Sequence, residues 1–203
     1  ILSVAEQGGI ARDLDRWVLR TALSEASGWT SPVRVAVNLL SLLPADTDFL
    51  EIVTGIVDRS GLDWHRVILE IVETVLLDLP VRAERSMNEL ADRGVRFAMD
   101  DFGTGYSSLA RLKDVPTQVI KLDGRFVTGV ENSAADRAIA RAAVDISRAM
   151  RRQCVAEGVE TATQFRILGD IGVDFYQGFL FSPPLPAEQF RELLDAGALA
   201  VPS

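Results

Sequence analysis

The stretch Val67-Ile68-Leu69-Glu70-Ile71-Val72-Glu73 is short, apolar and β-branched, and carboxylates interrupt it. A run of this length between polar turns reads as a buried strand of the kind found in parallel sheets. Outward from it, comparable runs stand at about 33–38, 96–101, 118–123, 153–158 and 175–181. Longer segments with helical spacing lie between them, at about 48–60, 80–94, 106–113, 134–150, 161–171 and 186–196. Six strands alternating with helices predict an α/β chain of repeated βα units with a parallel sheet. A further helix over about 9–27 aligns Ile10, Leu14, Trp17 and Val18, which predicts that this face packs on the sheet. Gly61, Gly94, Gly169 and Gly172 are expected near helix ends.

Polar residues fall late in these strands. Asn38 ends the first, Glu70 and Glu73 close the second, and Asp100 and Asp101 close the third. Lys121 and Asp123 close the fourth, Glu157 and Glu160 the fifth, and Gln177 lies within the sixth. In a parallel α/β barrel the carboxyl ends of the strands share the face on which active sites are assembled. Burying such charges singly would cost several kcal/mol each, so the pattern predicts that they are paired, hydrogen-bonded or bound to metal.

The 203 residues are 48% hydrophobic and 25% charged, the balance of one globular domain with a substantial core. No apolar run approaches the roughly 20 residues needed to span a bilayer. Even 67–79 is broken by Glu70, Glu73 and Asp78, so a soluble, cytoplasmic domain without membrane contact is expected. A net charge of −8 argues against sequence-independent binding of DNA or RNA. A phosphate ligand would then need local help, which a divalent cation supplies most simply. The single cysteine, Cys154, excludes an internal disulfide and reads as a buried, inert thiol in a reducing compartment. The chain opens at Ile1 without a leader pattern and reads as a piece of a longer protein.

Asn38, Glu70, Asp100, Asp101 and Glu157 offer oxygen ligands with no histidine or thiolate among them, which points to Mg²⁺ or Mn²⁺, as one ion or two. The only histidine, His65, sits in a loop before a strand and reads as structural. Asp100 and Asp101 would point to opposite faces of a strand unless the chain bends, and Phe102-Gly103-Thr104-Gly105 permits a bend. Both carboxylates would then reach one metal cluster, which suits the two-metal geometry of in-line phosphodiester hydrolysis, whereas a helix-capping pair is the plainer alternative. The segment Gly103-Thr104-Gly105-Tyr106-Ser107-Ser108 reads either as a strand-to-helix turn or as a mobile loop that orders a metal site. Asp101-Phe102-Gly103 matches the kinase metal-binding tripeptide by chance, since the other kinase motifs are absent. Lys121 either pairs with Asp123, two residues along the same strand face, or orients water and stabilises transition-state charge. Glu157 is a candidate base, and Glu160 reads more plainly as capping support for the next helix.

Taken in order, Val37-Asn38-Leu39, Leu69-Glu70-Ile71-Val72-Glu73, the run from Asp100-Asp101-Phe102-Gly103 to Leu109, Lys121-Leu122-Asp123, Glu157-Gly158-Val159-Glu160-Thr161 and Gln177-Gly178-Phe179-Leu180-Phe181-Ser182 resemble the EAL family of cyclic-di-GMP phosphodiesterases. The resemblance runs the whole chain, 1–203, as one EAL domain. It implies a TIM-like (βα)8 barrel with an antiparallel first strand, here lacking its N-terminal strand region. The implied reaction is metal-dependent hydrolysis of cyclic di-GMP to linear pGpG. Asn38, Glu70 and Asp100 would hold one metal, and Asp100, Asp101 and Glu157 a second. Lys121 would contact the attacking water, Glu157 would be the general base, and Gln177 would support the phosphate and water network. Glu73 would brace the 101–108 loop, with Gly103, Thr104, Gly105, Asp123 and Glu160 as the remaining loop and substrate positions. The family also commonly forms homodimers and carries linked sensory or GGDEF domains.

The resemblance has departures. The Glu-Ala-Leu tripeptide is absent, because Ile1 falls in the segment just after it, and with it go a metal-binding glutamate and a substrate-contacting arginine. Gly124 and Pro183 stand where basic residues are usual, and Leu40 where serine is usual. A catalytically inactive EAL domain, acting as a cyclic-di-GMP receptor, is the main alternative. A Mg²⁺-dependent lyase on a TIM barrel would explain the carboxylates but not their ordered motifs.

Overall fold

The computed structural model describes residues 10–105 and 109–197. They fall into two compact units, one built from the chain up to Ile71 together with Val75–Phe97, the other from Val72–Thr74 together with the chain from Ala98 onward.

The first unit contains α1 (Ala11–Ser27), β1 (Val35–Asn38), α2 (Phe49–Ser60), β2 (Val67–Val72) and α4 (Val81–Asp92). β1 and β2 run parallel, with Val35 opposite Val67 and Asn38 opposite Glu70. A one-turn 3₁₀ helix, Trp64–Arg66, leads into β2. Arg66 ties the unit at this end, donating to the carbonyls of Val33, Ala26 and Ser31.

The face by which α1 packs differs from the expectation. Ala11, Asp15, Leu19, Leu23 and Ala26 are buried, while Ile10 and Trp17 are exposed, Trp17 by 59%. The apolar stripe at 10, 14, 17 and 18 looked inward only because Asp15 looked polar. Asp15 instead accepts the backbone N–H groups of Leu40, Ser41 and Leu42 at 2.9, 2.7 and 2.8 Å. A buried carboxylate with three donors recovers its desolvation cost, so it sits inside with Leu19 and Leu23 and turns the helix by about a third of a revolution. The loop after Asn38 is thereby anchored to α1.

The second unit holds the end of β3 (Arg96–Phe102), α5 (Leu109–Leu112), β4 (Val119–Leu122), α6 (Gly124–Gly129), α7 (Ala134–Ala149), β5 (Gln153–Ala156), α8 (Ala162–Ile171), β6 (Phe175–Tyr176) and α9 (Ala187–Asp195). Its strands are also parallel, pairing β3 to β4, β4 to β5 and β5 to β6. Helix α7 begins at the Ser133 N-cap, whose hydroxyl accepts from Asp136 N–H, and packs on β4 and β5. Parallel strands joined by helices confirm the α/β class.

Element bounds depart from expectation where side chains, not propensity, decide. Glu73 does not end β2; it opens a short helix, α3 (Glu73–Asp78). The sixth strand spans only Phe175–Tyr176 rather than 175–181. There the chain turns onto the segment after β5, with Gln177 N–H donating to Ala156 O and Val159 N–H to Gln177 O. Gly178 makes this contact possible, because a Cβ would stand 2.1 Å from the Val159 carbonyl oxygen. Gly61 and Gly172 are left-handed C-caps, whereas Gly169 lies inside α8. Of the helix expected over 106–113, Leu109–Leu112 form α5, and residues 106–108 lie outside the described residues.

Candidate metal and phosphodiester site

β3 ends in an irregularity. Its register with β4 slips between Met99 and Phe102, and Asp101 adopts φ +56°. Left-handed backbone costs a non-glycine residue roughly 1–2 kcal/mol, and Asp is among the few side chains that offset it locally. The bend therefore falls at Asp101 itself, two residues ahead of the first of the glycines expected to provide it. The turn closes as Thr104 N–H donates to Asp101 O, while Asp101 N–H donates to Asp100 Oδ1. The bend defeats strand alternation: carboxylate oxygens of Asp100, Asp101 and Glu157 lie within 4.8 Å of one another.

Lys121, only 3% exposed, serves this trio. Its ammonium stands 3.1 Å from Asp100 Oδ1 and 2.6 Å from Glu157 Oε1. Of the two readings of Lys121, the pair with Asp123 is not what forms. β4 stops at Leu122, and Asp123 becomes the N-cap of α6, where Oδ1 accepts Arg125 N–H and pairs with Arg125 Nε at 3.0 Å. Arg125 was not singled out in the sequence, although its offset of two from an N-cap aspartate is the signal that would have found it.

Burial, then the charges of Asp100 and Asp123, then hydrogen bonding with Asp123 push the Asp101 carboxyl above the usual aspartate range, against the opposing pull of Lys121. A cation would relieve this crowding. The donor set is wholly carboxylate oxygen, the charge is in excess of the one lysine, and the oxygens are close enough for one ion; the residues fit a hard divalent cation. With the cation go the other means of phosphodiester chemistry: a buried ammonium, carboxylates able to take a proton, and a loop gripped at its base.

That grip comes from Glu73. Its side chain is 1% exposed, and Oε2 accepts Gly103 N–H at 2.9 Å. Thr104 and Gly105 continue the loop, Gly105 lying against Thr74 and Glu73. Asn38 and Glu70 stand opposite each other at the carboxyl ends of β1 and β2 in the first unit. Gln177 is exposed and lines a groove of about 380 Å³ with Phe179, Pro183, Pro184 and Phe190, a groove that none of the three clustered carboxylates lines. Glu160 is exposed and does not cap α8 with its side chain; Thr161 and Gln164 form the capping box, and Glu160 contributes its N–H to Gln164 Oε1. Cys154 is fully buried and free, as expected. Among the described residues, no helix is long and apolar enough to cross a membrane.

A family model described as EAL domain matches residues 1–184. An uncharacterised protein of Mycobacterium tuberculosis is 37% identical over 205 residues, covering 98% of this chain and 33% of its own length. The chain spans about a quarter to a third of the length of the curated relatives it matches. Among solved structures, the phosphodiesterase PaMucR in complex with c-di-GMP superposes with a TM-score of 0.87 at 34% identity, covering 94% of this chain and 78% of that one. Klebsiella pneumoniae BlrP1, in a manganese and cyclic-di-GMP complex, gives a TM-score of 0.76 at 29% identity, over 85% of this chain and 45% of that one.

Proposed function

Because the chain belongs to the EAL domain family, we propose that it binds cyclic di-GMP and hydrolyses one of its phosphodiester bonds to give linear pGpG. The observation that carries this reading is the clustering of Asp100, Asp101 and Glu157 oxygens within 4.8 Å, beside the Lys121 ammonium.

A divalent cation, Mg²⁺ or Mn²⁺, would be held by Asp100, Asp101 and Glu157, and would supply Lewis-acid activation of water and phosphodiester. Lys121 balances Asp100 and Glu157 and holds its N–H donors where an attacking water and the charge growing on phosphorus need them. Glu157 accepts the proton that water gives up. Water adds to phosphorus, the P–O3′ bond breaks, and the departing oxygen takes a proton to become the 3′-hydroxyl of pGpG. Glu73 keeps the loop base in place through Gly103, and Gln177 supports the ligand from its groove. In a longer protein this domain would work as a homodimer linked to sensory or GGDEF modules.

Incubation of the chain with cyclic di-GMP and Mn²⁺ or Mg²⁺, followed by chromatography, tests the reading. Linear pGpG is expected, and its formation is expected to stop in Asp101→Asn. Tight binding of the cyclic dinucleotide with no linear product under either metal would overturn catalysis and leave a receptor.

A further inference from the structure

Gly103 is held by two residues. Its N–H donates to Glu73 Oε2 at 2.9 Å, and the ring of Phe126 fills the place a side chain would take. A Cβ on Gly103 would stand 2.9 Å from Cε2 and 3.4 Å from Cζ of that ring. The backbone there, at φ +95°, is one that side chains rarely adopt, so the close approach and the turn depend on the same glycine.

Phe126 sits on α6, whose core position is taken by its neighbour Val127, fully buried. Phe126 is only half-buried, so the helix does not need it as a core residue. Its ring instead abuts the loop two residues beyond Asp101, and the turn between them is closed by Thr104 N–H on Asp101 O at 3.2 Å. Asp101 lies in left-handed backbone, where the direction of its carboxylate depends on where that turn rests.

We propose that Phe126 is a positioning residue for the cation site: by bearing on Gly103 it sets the Asp101 carboxylate against those of Asp100 and Glu157. The proposal rests on the cation-binding part of the proposed function and not on hydrolysis.

Mn²⁺ binding to the chain, followed by electron paramagnetic resonance without nucleotide, provides the test. Phe126→Ala is expected to weaken Mn²⁺ binding about tenfold or more, the scale on which residues that orient metal ligands act. Phe126→Tyr, which keeps the ring, is expected to bind as the wild type does. Phe126→Leu, which keeps more of the apolar volume than the alanine variant, is expected to lose less affinity than Phe126→Ala. Val127→Ala should lower the thermal midpoint yet leave Mn²⁺ binding unchanged, separating positioning from fold stability. Wild-type affinity in both Phe126→Ala and Phe126→Leu, or an equal loss in Val127→Ala, would overturn the proposal, as would absence of Mn²⁺ binding by the wild type. Mn²⁺ binding with the expected Phe126 dependence but no hydrolysis would leave it standing and overturn only the assigned reaction.

Discussion

The ammonium of Lys121 lies 2.6 Å from Glu157 Oε1, a link from β4 to the residue just after β5 that joins a buried cation to a candidate base. β4 pairs with β5 so that Lys121 faces Val155, and Glu157 lies two residues farther on. The same ammonium reaches Asp100 at 3.1 Å, so one lysine compensates two carboxylates.

Removing that ammonium in Lys121→Met leaves two carboxylates without their shared counter-ion. Breaking a buried pair costs about 3–5 kcal/mol, and because Asp100 and Glu157 keep some contact with water the loss here is expected at about 2–3 kcal/mol. Urea unfolding in EDTA measures it. Saturating Mn²⁺ should return more stability to the variant than to the wild type, while pGpG formation falls about 100-fold.

Asp101→Asn separates stability from activity. The wild-type carboxyl is held above its usual value by burial and by Asp100 and Asp123, so folding disfavours its charged form. A raised acid contributes stability that is fully present below the ordinary value of 3.8 and lost as pH rises through its folded value. At pH 7 without metal, Asp101→Asn should therefore melt higher than the wild type, and Asn also tolerates the positive φ. The advantage should shrink as the pH falls toward 3.8, which melting curves across an acid series would show.

Asp15→Ala orphans the N–H groups of Leu40, Ser41 and Leu42. With one of these fully buried and the others partly so, a loss of about 3 kcal/mol is expected in urea unfolding with an unchanged m-value. Asp15→Asn, which keeps an oxygen but not the charge, should lose about half as much.

Cys154 is fully buried, and burial pushes its thiol up to about 11. At pH 8 only about one thiol in a thousand would be the reactive thiolate. A disulfide reagent such as Ellman's should leave the folded chain untouched and react promptly once denaturant opens it; fast labelling under native conditions would contradict the buried position.

Strand existence, the α/β class and the candidate residues were legible because apolar β-branched runs with carboxylates at their ends are local patterns. The partners of those residues were not. Lys121 looked equally suited to Asp123, and only the end of β4 at Leu122, with Asp123 drawn off to cap α6, leaves Asp100 and Glu157 as its neighbours. Likewise the apolar stripe of α1 was plain, but its outward turn depends on three amides 25–27 residues away that Asp15 must serve.

By itself the sequence determined which residue types stand at the carboxyl end of each strand, and so the class of chemistry: oxygen ligands for a hard cation beside a lysine. The tertiary structure alone decided that Asp100 and Asp101, neighbours on a strand that ordinarily sends them apart, act from one side. A left-handed bend at Asp101 brings them there, in a turn whose Gly103 meets Glu73 and Phe126, residues distant in the chain that no local pattern connects to it.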